Sequence, residues 1–528
     1  MYLLIPGRHQ LITQFQYQYL RQLVQDPRSA RDVNGDPVTL QGNAEAVIFP
    51  VTSANHSNTR RNPLPFYLRA IFIEAMADEL SAPVYIYGID DVGTITDFAE
   101  YTLKRVAHES DGRFHCTPQN TLVICSTPVL TMYAAMGFTI LPAELENMQQ
   151  WKHHTAMPWD IVQQIAGAAD WKNDPAIKDK MHAASYKVWS KYNLGEKVKV
   201  LFNDAMISSD GDLTTTRDYN VYVRQMDEIA LIKYQETAPY VQAGRIGDIG
   251  CAVGSWIKLA AGDERFRESD FYGIEVSRHL FEICRQRKEN GEFSNPFIFF
   301  SQKNAVTGLV FEAASMNTIH TSSLTHEIES YGNRQELLQF IQNRYDELVP
   351  GGVWINRDVV APYNKEQEVL LWLNDEDGDS ENIFARFDDR TALSNHLRGL
   401  STYARFLRFS KDFRAKEGYT LSYTKISIDG KKYIRLRLAD ASEFMSRKDY
   451  TDNWESEMHE TFCFWDFEEW KEELIKTGFS IHTASAAYRN EWIATNRWKG
   501  KVDLFQLVND KLVPMEYPVS HMLIMAVK

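Results

Sequence analysis

A strand, a glycine-rich turn and a helix follow one another in the middle of the chain, in RIGDIGCAVGSWIKLAAG (residues 245–262). An apolar run that ends in an acid is typical of a buried strand, and the glycines after it allow a tight turn into the next helix. Strand and helix patterns continue to alternate beyond this point. Because parallel strands joined by helices form a sheet covered on both faces, the second half of the chain is predicted to be an α/β unit.

The same alternation fills the first half. Strand-like apolar runs at 2–6, 46–49, 84–89 and 122–125 each precede a helical pattern, and residues 121–143 show a strand, a turn, a helix and a strand. The length of 528 residues exceeds that of one domain, which is roughly 100–200 residues. The predicted fold class is therefore α/β, with two Rossmann-like parallel-sheet domains.

The domain division follows from these patterns. Residues 1–195 are predicted to form the first domain, and residues 196–217 a linker. Residues 218–361 and 466–528 are predicted to form the second domain. Residues 362–465, rich in arginine, aspartate and aromatic residues, are too long for a plain connection and are predicted to be an inserted cap. The predicted strands of the second domain are 246–248, 271–275, 298–300, 316–321, 353–357, 479–486 and 521–527.

Charge and cysteine content narrow the functional classes. The chain has 57 basic and 71 acidic residues, and its formal charge of -14 opposes binding to nucleic acid or to an anionic membrane. Its 5 cysteines include no CxxC pair, which argues against a disulfide framework and a cysteine-only zinc site and indicates a reducing cytoplasm. The first apolar run is about five residues long, shorter than a secretory signal requires, so no export signal is predicted.

Two acids beside the glycine turn form a pattern that suits a nucleotide-like cofactor. Asp248 ends the strand before Gly250 and Gly254, and Glu275 ends the next strand. Such ligands bind at the C-terminal ends of parallel strands, where an acid about 20 residues beyond the turn can accept hydrogen bonds from ribose hydroxyls. A tight structural turn is the alternative interpretation of the glycines alone.

These residues resemble the first motif of class I S-adenosylmethionine-dependent methyltransferases, an acid-x-Gly-x-Gly-x-Gly pattern followed by an acidic strand end. The resemblance spans about residues 218–362 and resumes at 479–528, and it implies a class I methyltransferase fold that uses S-adenosylmethionine. It further implies that Glu275 holds the ribose and that Asn304, which stands where the family has an acid, bonds the adenine. The residues implied to frame the methionine part are Asp248, Gly250, Cys251, Ala252, which replaces a usual glycine, and Gly254.

The resemblance also implies which residues lie near the reacting methyl group, namely Thr321, Ser322 and Ser323. Methyl transfer needs alignment of the reactants, and a base where the acceptor carries a proton. The candidate catalytic residues are two His-Glu pairs, His326, Glu327, His459 and Glu460. A hydrogen-bonded or solvated pair without a catalytic role is the alternative for each, and no metal site is predicted from these dipeptides.

Two motifs mark the first half, GRHQ (7–10) after the first strand and SANHSNTRRNP (53–63) after the second. They resemble the nicotinamide-nucleotide adenylyltransferase branch of the nucleotidylyltransferase superfamily, over most of residues 1–175. The resemblance implies a nucleotide ligand, ATP or a nicotinamide nucleotide. The residues implied to bind it are Gly7, Arg8, His9, Thr13, Gln16, Ser53, Asn62 and Arg69. The family's His/Thr-x-Gly-His signature stands here as TQFQ (13–16), and a glutamine cannot supply the cationic donor of the second histidine.

The predicted function is S-adenosylmethionine-dependent methylation of a small molecule or nucleotide derivative, with an N-terminal nucleotide-binding domain whose catalytic signature is degenerate. Two alternatives stay open. One is a regulatory protein that binds a nucleotide and the methyl donor without turnover. The other is a nucleic-acid methyltransferase, which the net charge disfavours and which a salt-dependent complex would reveal. The acceptor atom and the oligomeric state are not predicted.

Overall fold

The computed structural model describes residues 1–40, 42–92, 97–203, 219–387, 389–509 and 511–528, with side chains for all of these except 203 and 219–225. The chain divides into two compact units, Met1–Gly211 and Asp212–Lys528. The first part of the predicted linker belongs to a helix whose Val198 is fully buried in the core of the first unit. The remainder of that linker, residues 204–217, lies outside the described residues.

The first unit alternates strands and helices. Its strands are β1 (Tyr2–Leu4), β2 (Ala46–Thr52), β3 (Val84–Ile89), β4 (Thr121–Ile124), β5 (Thr139–Leu141), β6 (Leu145–Asn147) and β7 (Lys152–His153). Its helices are α1 (Gln14–Gln25), α2 (Phe66–Ala77), α3 (Phe98–Glu109), α4 (Leu130–Ala135), α5 (Pro158–Gly167), α6 (Pro175–Lys178), α7 (Ala183–Lys191) and α8 (Leu194–Asn203). The predicted strands are confirmed, including the strand, turn, helix and strand of residues 121–143, which are β4, α4 and β5.

The described strands β1 to β5 form one parallel sheet in the order β3-β2-β1-β4-β5. Strand β2 is buried along its whole length, as expected for a parallel sheet with both faces covered. Helix α1 packs Tyr17, Leu20 and Leu23 into the core, and it begins at Thr13, whose hydroxyl accepts from the main-chain amide of Gln16.

The described residues of the second unit form two sheets. Its strands are β8 (Arg245–Ile249), β9 (Asp270–Glu275), β10 (Ile298–Gln302), β11 (Met316–Ser322), β12 (Leu348–Val359), β13 (Glu368–Leu373), β14 (Thr424–Ile428), β15 (Lys431–Arg437), β16 (Ser480–Ile481), β17 (Ala486–Tyr488), β18 (Val502–Val508), β19 (Lys511–Met515) and β20 (His521–Val527). Its helices are α9 (Tyr219–Thr237), α10 (Ser255–Ala261), α11 (Arg278–Glu289), α12 (Thr325–Tyr331), α13 (Arg334–Glu347), α14 (Arg390–Gly399), α15 (Thr402–Asp412), α16 (Leu438–Arg447), α17 (Trp454–Glu457), α18 (Phe467–Thr477) and α19 (Glu491–Ile493). No helix within the described ranges is both long and apolar enough to span a membrane.

The larger sheet has the order β10-β9-β8-β11-β12-β20-β16, and β17 also pairs with β20. Strands β8 to β12 are parallel, whereas β20 runs antiparallel to β12 with Val527 opposite Val353. The predicted strand 479–486 is instead two short strands, because a turn in which the amide of Ser485 donates to the carbonyl of His482 separates β16 from β17. The predicted fold class is confirmed, since both units are α/β and the second has a class I methyltransferase fold with an insertion.

The inserted part forms an antiparallel sheet in the order β14-β15-β13-β18-β19. Helices α14 to α17 and this sheet share a core that includes Phe406, Phe409 and Phe444. Strands β18 and β19 follow the predicted insertion in sequence, yet they complete its sheet because Leu504 of β18 pairs with Leu371 of β13. The insertion therefore draws on two stretches of chain.

Candidate functional site

The loop between β8 and α10 is tied to the end of the neighbouring strand β9. The main-chain amides of Gly250 and Cys251 donate to the carbonyl of Ile274 at 2.9 and 3.1 Å. Gly250 and Gly254 have positive φ angles of 71° and 74°, in the region that favours glycine, and Ala252 shares it at 49°. The predicted glycine turn is thus a left-handed loop at the C-terminal end of β8, the end at which parallel sheets bind ligands.

Glu275 holds this loop from the end of β9. One carboxylate oxygen accepts from the main-chain amide of Ala252 at 2.9 Å and the other from that of Ser277 at 2.8 Å. Burial raises the pKa of Glu275 to about 7, against these hydrogen bonds and with a smaller contribution from the charge of Glu327. Each oxygen retains a second lone pair, so the carboxylate can still accept hydrogen bonds from a ligand.

Asp248 and His320 lie opposite each other on the adjacent strands β8 and β11. The Nδ1 atom of His320 donates to the carboxylate of Asp248 at 2.7 Å, and the imidazole stacks on the indole of Trp256 with ring centroids 4.1 Å apart. Among the described residues, Nε2 of His320 has no hydrogen-bond partner. The carboxylate of Asp248 is therefore oriented by a histidine that the sequence analysis did not identify.

The other residues predicted to face the methyl donor differ in what their side chains contact. The Oδ1 atom of Asn304 accepts from the main-chain amide two residues later, at 2.9 Å. Thr321 lies in the core, where its hydroxyl donates to Asn356 and accepts from the indole of Trp354, both at 2.9 Å. The Oγ atom of Ser322 is buried without a partner in the described part of the chain. The hydroxyl of Ser322 is therefore unsatisfied, whereas that of Thr321 is already used.

His326 lies between two carboxylates. Its Nδ1 atom donates to Asp358 at 2.6 Å, and its Nε2 atom is 3.5 Å from an oxygen of Glu460. Burial acts to lower the pKa of His326, but the two carboxylates raise it well above its usual value of 6.5. At neutral pH His326 is therefore an imidazolium, which donates hydrogen bonds and does not accept a proton.

Asp358 fixes the start of helix α12 from the end of β12. One oxygen accepts from the main-chain amides of Leu324, Thr325 and His326 at 3.2, 2.7 and 3.2 Å, and from the Thr325 hydroxyl at 2.6 Å. Burial acts to raise the pKa of Asp358, but His326, the Thr325 hydroxyl and the main-chain amide of Val359 keep it well below its usual value. Asp358 is therefore a permanent anion that holds both the helix and the imidazolium.

Three basic side chains, from α9, β12 and β20, share this environment. The ammonium group of Lys233 donates to the hydroxyl of Ser323 at 3.3 Å, and Arg357 pairs with Glu236. Burial and the charge of Arg357 lower the pKa of Lys233 to about 8, against the opposing charges of nearby acids. Burial and the same guanidinium charge lower the pKa of His521 to about 3. Lys233 therefore exchanges its proton closer to neutral pH than His521 does.

The second predicted His-Glu pair lies next to the first. The hydroxyl of Tyr331 donates to Glu460 at 3.1 Å, and its ring centroid is 4.7 Å from that of His459. Glu327, which is partly buried, lies within electrostatic range of Glu275. The structure thus gathers His326, His459 and Glu460 in one cluster. Within the described ranges, no group of three or more His, Cys, Asp or Glu side chains is arranged to hold a metal ion.

Sequence reasoning missed Lys233, Asp358 and His521. For Asp358 a signal existed, because the polar residues NRD end an otherwise apolar strand pattern. Lys233 and His521 are single residues in a helix before the sheet and in its last strand, and nothing in their local sequence marks them.

The first unit contains a cavity of about 480 Å³ at the C-terminal ends of its parallel strands. It lies where the strand order reverses, since β1 pairs with β2 on one side and β4 on the other, and open α/β sheets bind ligands at this point. The predicted nucleotide-binding residues that line the cavity are Gly7, Arg8, His9, Gln16 and Ser53. Those that do not line it are Thr13, Asn62 and Arg69.

Arg69 is fully buried and clamps two loops through their main chains. Its guanidinium donates to the carbonyls of Arg8, Thr52 and Ser53 at 3.0, 2.8 and 2.8 Å. Burial lowers the pKa of Arg69 to about 10, so the group stays charged at neutral pH. Arg69, one of the residues implied to bind the nucleotide, therefore holds the main chain of three residues near the cavity, two of which, Arg8 and Ser53, were also implied to bind it.

The residues of the degenerate signature bond to each other. The hydroxyl of Thr13 accepts from the amide of Gln16 at 3.0 Å, and the Gln16 side chain accepts from the amide of Thr13 at 3.2 Å. This capping box uses main-chain donors that a phosphate at the start of α1 would need. Burial lowers the pKa of His9 to about 4, and its Nε2 atom donates to the carbonyl of Ile5 at 2.9 Å, so His9 is neutral.

No family model matches the chain, and no curated protein does. Among solved structures, an S-adenosylmethionine dependent methyltransferase from Mesorhizobium loti is 12% identical, with 56% of this chain and 96% of that chain covered and a TM-score of 0.31. An S-adenosylmethionine-dependent methyltransferase from Clostridium acetobutylicum is 11% identical, with 58% and 98% covered and a TM-score of 0.29. The glycopeptide N-methyltransferase MtfA, complexed with S-adenosyl-L-homocysteine, is 12% identical, with 56% and 86% covered and a TM-score of 0.27. The strand order of the larger sheet, with β20 antiparallel to β12, defines the fold of the second unit.

Proposed function

We propose that the second unit is an S-adenosylmethionine-dependent methyltransferase that acts on a small molecule or nucleotide derivative. One observation carries the proposal. The carboxylate of Glu275, 5% exposed at the end of β9, is joined directly to the left-handed loop that follows β8. The acid and the glycine loop are hydrogen-bonded to each other at the C-terminal ends of adjacent parallel strands. This arrangement suits a ligand that has a ribose with a further group attached to it.

The polar groups at this edge of the sheet fit the donor. Glu275 would accept from the ribose hydroxyls, and the loop that contains Gly250, Cys251, Ala252 and Gly254 would face the methionine part, with Asp248 at its base. Asn304 would bond the adenine through its amide, and the unpartnered hydroxyl of Ser322 would face the ligand. When bound, S-adenosylmethionine supplies an electrophilic methyl group on a sulfonium, and the chain supplies alignment and proton removal.

The cluster beside the donor site suggests how a proton leaves the acceptor. A general base works best when its pKa lies near the operating pH. His326 is already protonated and His521, with a pKa of about 3, is too weak a base, whereas Lys233 has a pKa of about 8. We assign the base to Lys233. The imidazolium of His326, with Glu327, His459 and Glu460, would orient the acceptor.

Titration calorimetry with S-adenosylmethionine and S-adenosylhomocysteine tests the proposal. We expect both to bind the wild-type chain, and Glu275→Ala to weaken binding by about 10-fold or more. Asp270→Asn, a change at the opposite end of the same strand, should leave binding unchanged. If neither compound binds the wild-type protein, the proposal is wrong.

The same samples separate the alternatives. Donor binding without transfer of label from [methyl-³H]S-adenosylmethionine to any small-molecule fraction would favour a regulatory protein. A complex with RNA or DNA that weakens steeply between two salt concentrations would favour a nucleic-acid methyltransferase. The formal charge of -14 and the free cysteines fit a cytoplasmic enzyme with a small-molecule substrate and no membrane contact, which we include in the proposal.

We also propose that the first unit binds a nucleotide, ATP or a nicotinamide nucleotide, without transferring a nucleotidyl group. The support is the cavity at the strand reversal, with Arg8 and Ser53 on its wall. Catalysis is disfavoured because Thr13 and Gln16 bond each other and offer no cationic donor. Nucleotide binding with no pyrophosphate release from ATP is the expected result, and release of pyrophosphate would contradict it.

A further inference from the structure

A buried carboxylate lines the cavity of the first unit. Glu144, just after β5, is 3% exposed. Its Oε2 atom lies 2.7 Å from the hydroxyl of Ser126, and its Oε1 atom has no hydrogen-bond partner among the described residues. The Ser126 hydroxyl has one proton, and the carbonyl of Pro142 is a second acceptor within its reach. Within the described part of the chain, the carboxylate therefore receives at most one hydrogen bond.

The ion pairs found among the described residues do not include Glu144 either. Arg69 directs its Nη1 and Nη2 atoms at main-chain carbonyls, and its Nε atom has no partner among the described residues. A buried carboxylate with one shared hydrogen bond is costly, and its desolvation is offset only by donors that reach it. Glu144 lines the cavity, so a ligand bound there is a source of donors for its carboxylate.

A second polar group on the cavity wall is also unsatisfied. Gln10, 3% exposed, accepts with its Oε1 atom from the main-chain amide of Leu64 at 3.2 Å. That contact fixes the orientation of the amide, so the Nε2 atom is the donor, and it has no partner in the described ranges. Two residues that line the cavity thus have an unsatisfied polar atom, an acceptor in Glu144 and a donor in Gln10.

The rest of the wall is aromatic and has little net charge. Tyr19, Phe98 and Trp159 line the cavity together with one guanidinium, that of Arg8, and two carboxylates, those of Asp91 and Glu144. Burial raises the pKa of Tyr19 to about 12, and the negative charge of Glu144 contributes. This balance suits a flat ring with hydrogen-bonding edges better than a polyphosphate.

We infer that Glu144 recognises the amino-bearing edge of a nucleobase, with Gln10 donating to a ring or carbonyl acceptor of the same ligand. The cavity volume of about 480 Å³ lies within the range of about 300–1,000 Å³ that small-molecule sites occupy. The inference rests on the proposed nucleotide binding by the first unit and adds which end of the ligand is selected. The ligand class is a nucleoside or a 5′-mononucleotide whose base has an exocyclic amino group.

Titration calorimetry on the full-length chain tests the inference with matched nucleosides. Adenosine, guanosine and cytidine are compared with purine riboside, inosine and zebularine, which lack the corresponding amino group. Saturating S-adenosylhomocysteine keeps adenosine out of the second unit. We expect one amino nucleoside to bind at least 10-fold more tightly than its partner. Comparison with the 5′-mono- and triphosphates then shows whether the ligand is the nucleoside or its phosphate ester.

Two variants assign the preference to Glu144. Glu144→Gln should reduce the preference to about threefold or less, because the amide has one acceptor oxygen instead of two and lacks the negative charge that strengthens the hydrogen bond from the base. Glu146→Gln is the matched control, because it removes an exposed carboxylate that lies two residues after Glu144 and pairs with Lys152. This variant should retain the preference for the amino nucleoside. Glu144→Gln should also raise the melting temperature of the ligand-free protein, whereas a carboxylate with only a structural role would lower it on replacement.

The outcomes distinguish this inference from the nucleotide proposal. If nucleotides bind the wild-type protein and Glu144→Gln equally well, nucleotide binding stands and the role of Glu144 is refuted. If the matched nucleosides bind with equal affinity to the wild-type protein, selection by the amino group is refuted. If no nucleoside or nucleotide binds, both proposals fail.

Discussion

Replacement of Asp358 by asparagine tests whether the His326–Asp358 pair organises the proposed acceptor site. The carboxylate is 1% exposed, and both of its oxygens accept hydrogen bonds. One oxygen faces Leu324, Thr325 and the His326 amide, and the other faces the imidazole. In Asp358→Asn, the side-chain NH2 group points at other hydrogen-bond donors in either orientation of the amide. The imidazolium also loses its nearest counter-charge.

The magnitude follows from the burial of both partners. Breaking a buried charge pair by removing one partner costs about 3–5 kcal/mol, whereas an exposed pair contributes about 0–1 kcal/mol. Asp375→Asn is the matched control, because Asp375 forms an exposed pair with Lys432 at 3.3 Å. We expect Asp358→Asn to destabilise the second unit by about 3–5 kcal/mol and Asp375→Asn by less than about 1 kcal/mol.

Hydrogen exchange followed by mass spectrometry measures this loss locally. At about 1.4 kcal/mol per factor of ten, peptides from residues 316–331 should exchange roughly 100- to 4,000-fold faster in Asp358→Asn. Peptides from the first unit provide the internal reference. An acceleration below about fivefold in residues 316–331, similar to that of Asp375→Asn, would refute the reasoning.

The pH dependence of the wild-type pair has a definite sign. The pKa of His326 is raised in the folded state, so its contribution is complete below the unfolded value of 6.5 and is lost as the pH rises through the raised pKa. The pKa of Asp358 is lowered, so its contribution is present above its unfolded value and is lost as the pH falls through the lowered pKa. The pair therefore stabilises the second unit across the neutral range, and Asp358→Asn should remove this stabilisation there.

Three further predictions concern the donor loop and the proposed base. Lys233→Met should reduce the rate of methyl transfer at least 100-fold and leave the affinity for S-adenosylmethionine unchanged. The rate of the wild-type protein should rise with pH through about 8, and a rate that does not change with pH would contradict the assignment of Lys233 as the base. Glu275 has a folded-state pKa that is raised to about 7, so the second unit should become less stable as the pH rises through 7. Hydrogen exchange should show a weaker dependence of stability on pH in Glu275→Gln than in the wild-type protein. An equal dependence in both would contradict this prediction. Gly250→Ala should destabilise the second unit by about 1–2 kcal/mol in urea unfolding, because its φ is positive and a Cβ atom would lie 3.1 Å from Leu324; no loss would contradict the strain.

The alternation of strands and helices was sufficient to predict most of both parallel sheets. Apolar runs and glycine turns are local signals, so β8, β9 and the loop between them could be predicted from residues 245–275. Strands β18 and β19 were not assigned to the inserted sheet. Their place depends on pairing with β13, which is more than 120 residues earlier, and local periodicity does not show such pairings.

Only some residues of the candidate site could be predicted, because local sequence signals mark only those that lie in a motif. Asp248 and Glu275 belong to a contiguous motif, whereas Lys233 and His521 meet the cluster only through the fold. Arg69 shows another limit of motif reasoning, since a resemblance can identify the residue but not the direction of its side chain. Its guanidinium faces carbonyls, whereas Glu144, which no motif marked, lines the cavity.

The two units show why the same strand order can support different chemistry. In each unit five strands run parallel in the order 3-2-1-4-5, so the C-terminal ends of the first and fourth strands form the same kind of crevice. In the first unit the protonation states of the predicted site residues at this crevice do not change near neutral pH. His9 is neutral, and Thr13 and Gln16 bond each other in the cap of a helix. In the second unit the corresponding edge holds Lys233 with a pKa of about 8 beside a permanently charged pair. A site whose charges cannot change suits binding, and a site with groups that exchange their protons near neutrality, here Lys233 and Glu275 with its pKa of about 7, suits catalysis. We therefore propose recognition for the first unit and methyl transfer for the second.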